Sequence, residues 1–184
     1  MKENKKYEIL ENDFIIHNGK KLYRIKALRD IIDVNRYIEE GSLGGYIEGY
    51  HNLSQEDTCW VFHDAKVYEN AKIEDNAWVG LKAEVYGNAK IEGYAIVGDH
   101  AEVSDNARVE GFTLVEGHAI VFDSAKITDG AVVRDFAEVY GNAVIKANAC
   151  VRLNAKVYGN AVITNGEKIG RDTVICNNSI IHQQ

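Results

Sequence analysis

From Cys59 onward the apolar and polar positions recur with a period of six. Val or Ile occupies Val61, Val67, Ile73, Val79, Val85, Ile91 and every sixth position thereafter to Ile175. Two places before each stands a small residue, nearly always Ala, as at Ala65, Ala71, Ala77, Ala83 and Ala89. The pair flanks a single residue, so both point to the same side of a strand. A β-branched residue turned inward at every sixth position predicts a coil of three short strands and three sharp corners, eighteen residues per turn. The clearest copies are Ala83-Glu84-Val85-Tyr86-Gly87-Asn88, Ala137-Glu138-Val139-Tyr140-Gly141-Asn142 and Ala155-Lys156-Val157-Tyr158-Gly159-Asn160. Their Gly-Asn endings supply left-handed backbone for a corner.

Residues 1–58 lack the hexad. A solenoid exposes an apolar end and unpaired strand edges at its first coil, so this segment is expected to cap it. Asp13-Phe14-Ile15-Ile16 and Lys21-Leu22-Tyr23-Arg24-Ile25 predict a hairpin joined through His17-Asn18-Gly19-Lys20, because Asn-Gly accepts the two positive-φ positions of a tight turn. Gly41-Ser42-Leu43-Gly44-Gly45-Tyr46-Ile47-Glu48 reads as a Gly-rich bend into Leu53.

The hexads resemble those of the hexapeptide-repeat family, in which an aliphatic residue is followed four positions later by a small one. That resemblance implies an all-β fold, a left-handed parallel β-helix of about 6–7 coils over residues 59–184. Leu43-Gly44-Gly45-Tyr46-Ile47-Glu48, Asn52-Leu53-Ser54 and Cys59-Trp60-Val61 are further similar to uncharacterised phage and bacterial hexapeptide proteins. Glu167 departs from the pattern by taking an inward slot, and Ser179 to Gln184 offer no apolar cap, so the last coil is expected to fray or to be covered by another chain.

Residues eighteen apart should share a face. One outward stripe is apolar: Trp60, Trp78, Ile96, Leu114, Val132 and Cys150. Its flanking corners add Tyr94 and Phe112 on one side and His100, His118 and Phe136 on the other. A strip of that extent exceeds what a soluble monomer leaves bare, so it is expected to be an interface between copies, in a homodimer or homotrimer, or else to lie beneath the N-terminal segment. A second stripe, Lys72, Lys90, Arg108 and Lys126 beside Glu74, Glu92 and Glu110, reads as a self-neutralising solvated face. The third carries Tyr68, Tyr86, Phe122, Tyr140 and Tyr158 beside Asn70, Asn88, Asn106, Asn142 and Asn160, expected to stack and to bond from coil to coil.

The formal charge of −7 and the absence of clustered cations argue against binding duplex nucleic acid. An acidic rod mimicking a nucleic acid is disfavoured, because Lys72, Lys90, Arg108 and Lys126 offset the acids. No apolar run suits a membrane span, and no apolar segment follows the basic start, so neither a membrane anchor nor a signal peptide is expected. Three scattered cysteines form neither a disulfide framework nor a CxxC site, which points to the reducing cytoplasm.

Three chemistries compete at the apolar face. His100 and His118 could ligate a metal only with a third donor such as Asp99 or Glu116, and none is assigned. As seam bases they resemble the histidines of hexapeptide acyltransferases, which implies trimers and acetyl-CoA. The uninterrupted hexads lack the loop that shapes an acceptor pocket in that family. The preferred reading is binding without catalysis and without a cofactor. Tyr94, His100, Phe112, His118, Arg134, Phe136 and Arg152 would stack on and pair with a small planar anion such as a nucleotide at a subunit seam. Set beside the phage-like segments, that reading implies sequestration of a signalling molecule without turnover. A purely structural scaffold is the remaining alternative.

Overall fold

A computed structural model describes residues 5–33 and 36–181. Met1 to Asn4 and His182 to Gln184, which bear on the expectations for the start and the last coil, lie outside the described residues. The fold is all-β, and its architecture follows the hexad. Strands of two residues, such as Lys66–Val67, Lys72–Ile73 and Trp78–Val79, are separated by corners and stack in parallel on their counterparts one coil away. Val67 pairs with Val85, Ile73 with Ile91 and Val79 with Val97, each eighteen residues on.

Three sheets result. Face A carries Lys66, Glu84 and Glu102, face B carries Lys72, Lys90 and Arg108, and face C carries Trp60, Trp78 and Ile96. The Ala, Val and Ile side chains between them are fully buried from Ala65 through Ile163. Each aliphatic residue so buried contributes on the order of 1.5–3 kcal/mol of transfer free energy. Face B runs on through Ile180–Ile181, paired with Val162–Ile163. Glu167 is half-buried, and its carbonyl still accepts the Cys150 N–H at 2.7 Å.

Most corners use one left-handed residue, two places after the inward aliphatic, where Gly, Asp or Asn usually sits, and those at Asp129-Gly130, Ala147-Asn148 and Asn165-Gly166 add a second. Gly87 (φ 70°) illustrates a second demand, since a Cβ there would lie 2.6 Å from the Asp105 nitrogen of the next corner. The following Asn is not the left-handed residue at Asn70, Asn88 or Asn142; it forms a side-chain ladder, Asn70 to Asn88 at 3.1 Å and Asn88 to Asn106 at 3.2 Å. Corner carboxylates supply a third device. Asp75 accepts the Gly93 N–H at 2.9 Å, and Asp123 accepts that of Gly141 at 3.0 Å. Each satisfies a backbone donor that the turn leaves out of the ladder.

The amino-terminal segment folds as β1 (Tyr7–His17), β2 (Lys20–Ala27), β3 (Ile31–Asp33), β4 (Arg36–Ile38) and β5 (Leu43–Ile47). Asn18 (φ 48°) and Gly19 (φ 74°) make the tight turn between β1 and β2. The segment around Gly44 is a strand rather than a bend. It pairs antiparallel with β2 and parallel with Lys66–Val67, joining the hairpin to face A in one continuous sheet. Glycine is needed there because a Cβ on Gly44 would meet the Ile25 side chain at 2.5 Å and the Val61 carbonyl at 2.7 Å.

Parallel stacking therefore reaches back to β5. Ile47 pairs with Val67 and Leu53 bridges to Ile73, twenty residues on in each case, so this first turn holds two extra residues before Val61. The loop they create grips the chain start. Gln55 accepts the Lys6 N–H at 2.8 Å and donates to the Tyr7 carbonyl at 3.2 Å. Among the described residues no helix is long and apolar enough to cross a membrane.

Candidate functional site

The apolar stripe lies on face C as its eighteen-residue spacing requires, with Trp60, Trp78, Ile96, Leu114, Val132 and Cys150 in register. Its two ends differ. Trp60 is 1% exposed, because Tyr7 packs edge-on against its indole at a centroid distance of 6.1 Å. The Tyr7 hydroxyl is held in turn by the Leu53 carbonyl at 2.7 Å. Trp60 thus faces its own chain and offers no surface to a partner. Trp78 is half-covered, with the Arg36 guanidinium 3.5 Å above the indole and Phe62 4.3 Å beside it. Ile96, Leu114, Val132 and Cys150 remain half-exposed.

The corners frame this stripe with rings. Tyr94 and Phe112 stack at 4.7 Å, one degree from parallel, along one edge. Along the other, His100 stacks on His118 at 4.8 Å and His118 on Phe136 at 5.0 Å. Phe112 is 75% exposed and Phe136 60%, so each stack presents a bare aromatic face. Arg134 and Arg152 sit one coil apart beside the second stack. Neither has an ion-pair partner among the described residues, and the Nε of each is buried without an acceptor.

The seven residues expected to line one site are therefore divided. Five lie on one edge of face C, while Tyr94 and Phe112 lie on the other, with Ile96 and Leu114 between. A single chain does not gather them into one pocket. The histidines are placed for stacking, and no carboxylate orients either imidazole among the described residues, as a general base would need. Asp99 is occupied with the Gly117 N–H at 3.0 Å, and no three His, Cys, Asp or Glu side chains among the described residues converge as metal ligands do.

The other two faces are laced by contacts among their own side chains. On face B, Lys90 bridges Glu74 and Glu92 at 3.1 Å each. On face A, Tyr68 stacks on Tyr86 and Phe122, Tyr140 and Tyr158 stack in turn. The hairpin docks onto face A at Glu84, which receives His17 Nε2 and Lys66 Nζ at 2.8 Å each. Burial alone would raise the Glu84 carboxyl, but these bonds outweigh it and hold the group below the usual carboxylate range.

A concave feature escaped the sequence reading. Next to Trp78 a recess of about 340 Å³ opens between Arg36, Phe62, Ile96 and the backbone of Gly80 and Gly98. A second recess of about 310 Å³, containing Lys82 and His100, shares His63 and Leu81 with it. The available signal was the column Phe62, Gly80, Gly98, Glu116, Arg134, in which two glycines interrupt large side chains. No protein-family model matches this chain, and no curated protein is significantly similar to it.

Proposed function

We propose that this chain is a left-handed hexapeptide-repeat β-helix of the kind found in phage and bacteria, acting in the cytoplasm as a self-associating, non-enzymatic binding protein. Copies meet along face C as a dimer or trimer, and the seam between them holds a small anionic, nucleotide-like ligand. The observation that carries this reading is the pair of ring stacks bracketing Ile96, Leu114 and Val132, each ending in a bare phenylalanine. Rings at opposite edges of one chain come together when a second chain is laid across the face. The unpaired guanidiniums of Arg134 and Arg152 then supply the charge for a phosphate or carboxylate. Imidazoles that stack without an orienting acid favour binding over proton transfer.

Isothermal titration with mono-, di- and cyclic nucleotides tests the ligand, and heat that vanishes in an Arg134→Ala/Arg152→Ala variant is expected. Absence of heat with every member of that set removes the nucleotide reading. Titration with acetyl-CoA separates the acyltransferase alternative, which requires binding that a His100→Ala/His118→Ala variant abolishes.

A further inference from the structure

We propose that the recess beside Trp78 is a second binding site, built within one chain, for a small flat organic acid of the aromatic carboxylate type. The case begins with Gly80 and Gly98. Neither has a left-handed φ. A Cβ on Gly80 would meet only Phe62 Cβ, at an ordinary 3.7 Å, and a Cβ on Gly98 would meet nothing within 4 Å. Neither backbone conformation nor close packing therefore calls for glycine at these positions. What the missing side chains leave is a slot two coils high, floored by peptide planes and walled by Phe62, Trp78 and Ile96.

The slot carries a charge of its own, the Arg36 guanidinium, and the adjoining recess adds Lys82. That recess also holds two acids, Asp64, which lies 3.9 Å from Arg24, and Asp99, which accepts the Gly117 N–H at 3.0 Å. Lys82 has no partner among the described residues, and His63 and His100 line the same space. An apolar slot edged by the Arg36 guanidinium, with the Lys82 ammonium in the adjoining recess, suits an aromatic body carrying one carboxylate. At about 340 Å³ it stands at the small end of ligand pockets, which fits one or two fused rings. One chain lines this site, and because Trp78 and Ile96 belong to the face along which copies are proposed to meet, binding is read both in the parent and in a seam-breaking variant.

The test is titration of the intact protein with 2-naphthoate, followed by calorimetry and tryptophan fluorescence, beside the uncharged naphthalene-2-carboxamide. Saturable binding of one naphthoate per chain is expected, with the carboxamide weaker by about tenfold or more, the equivalent of one charge-assisted contact. Gly98→Leu fills the slot and is expected to abolish binding at unchanged thermal stability. Arg36→Gln is expected to bring the acid down to the level of the amide, with Lys82→Ala costing less. Val132→Arg, placed to break the seam, is expected to leave naphthoate binding intact. No saturable naphthoate binding at millimolar concentration, or binding undiminished in folded Gly98→Leu, overturns the site. Equal affinity for acid and amide overturns the assignment to an acid.

Discussion

The Lys6 ammonium donates to the Cys59 sulfur at 3.1 Å, inside the junction between the amino-terminal cap and the first turn of the solenoid. Lys6 is fully buried, and its other two donors reach the carbonyls of Glu56 and Cys59 at 2.8 and 2.9 Å. Burial lowers the lysine pKa and raises that of the thiol, the usual effect of removing charge from water. Truncation to Lys6→Ala leaves a cavity and two carbonyls without donors. It is expected to destabilise the protein by about 2–4 kcal/mol in urea titration, with Trp60 emission shifting to the red before the solenoid melts.

The same burial sets thiol reactivity. Cys59 is enclosed, whereas Cys150 and Cys176 are partly exposed. A disulfide-exchange reagent is expected to titrate Cys176 rapidly and Cys59 only on unfolding. Cys150 reports the seam: protected in the assembled protein, and fast once the assembly is broken.

Assembly along face C has its own test. Leu114 lies at the centre of the stripe, paired with Ile96 and Val132. Leu114→Arg is expected to reduce the mass in light scattering to that of one chain while leaving the circular dichroism spectrum unchanged. Unaltered mass removes the proposed interface.

Acid is expected to loosen the hairpin through Glu84. Its folded pKa lies below the unfolded value, so the fold binds the proton more weakly than the open chain. The contribution is therefore complete above the unfolded carboxylate pKa and disappears as pH falls through the folded one. In Glu84→Gln the stability lost on acidification through the carboxylate range should be smaller than in the parent. Thermal unfolding across that range measures it.

Thr113 stands in an inward slot that alanine fills in the neighbouring coils, and its hydroxyl is buried without a partner. Thr113→Val retains the shape and removes the orphan. It is expected to raise stability by about 1 kcal/mol or more, seen as a higher melting temperature.

Much of this architecture was legible before any coordinates. Val61 to Ile175 repeat because each inward slot has the same neighbours above and below, so one local rule, applied coil after coil, writes itself into the sequence. The Tyr and Asn ladders were readable for the same reason. The corner carboxylates were less so, since Asp75 and Asp123 look like ordinary turn acids until the next coil places an N–H beside them. What covers Trp60 was not legible, because the hexad says which way a residue points but not whether another copy or the amino-terminal segment lies across it.

By itself, then, the sequence determined the coil, its three faces and the greasiness of one of them, all consequences of a period that sorts side chains inward or outward. The tertiary structure decided how that face is shared out. It laid Tyr7 over Trp60 and Arg36 over Trp78, left Phe112 and Phe136 bare, and set an empty slot at Gly80 and Gly98. Those relationships join an aperiodic segment to a periodic one across tens of residues, and nothing in the repeat encodes a contact with a chain that does not share its register.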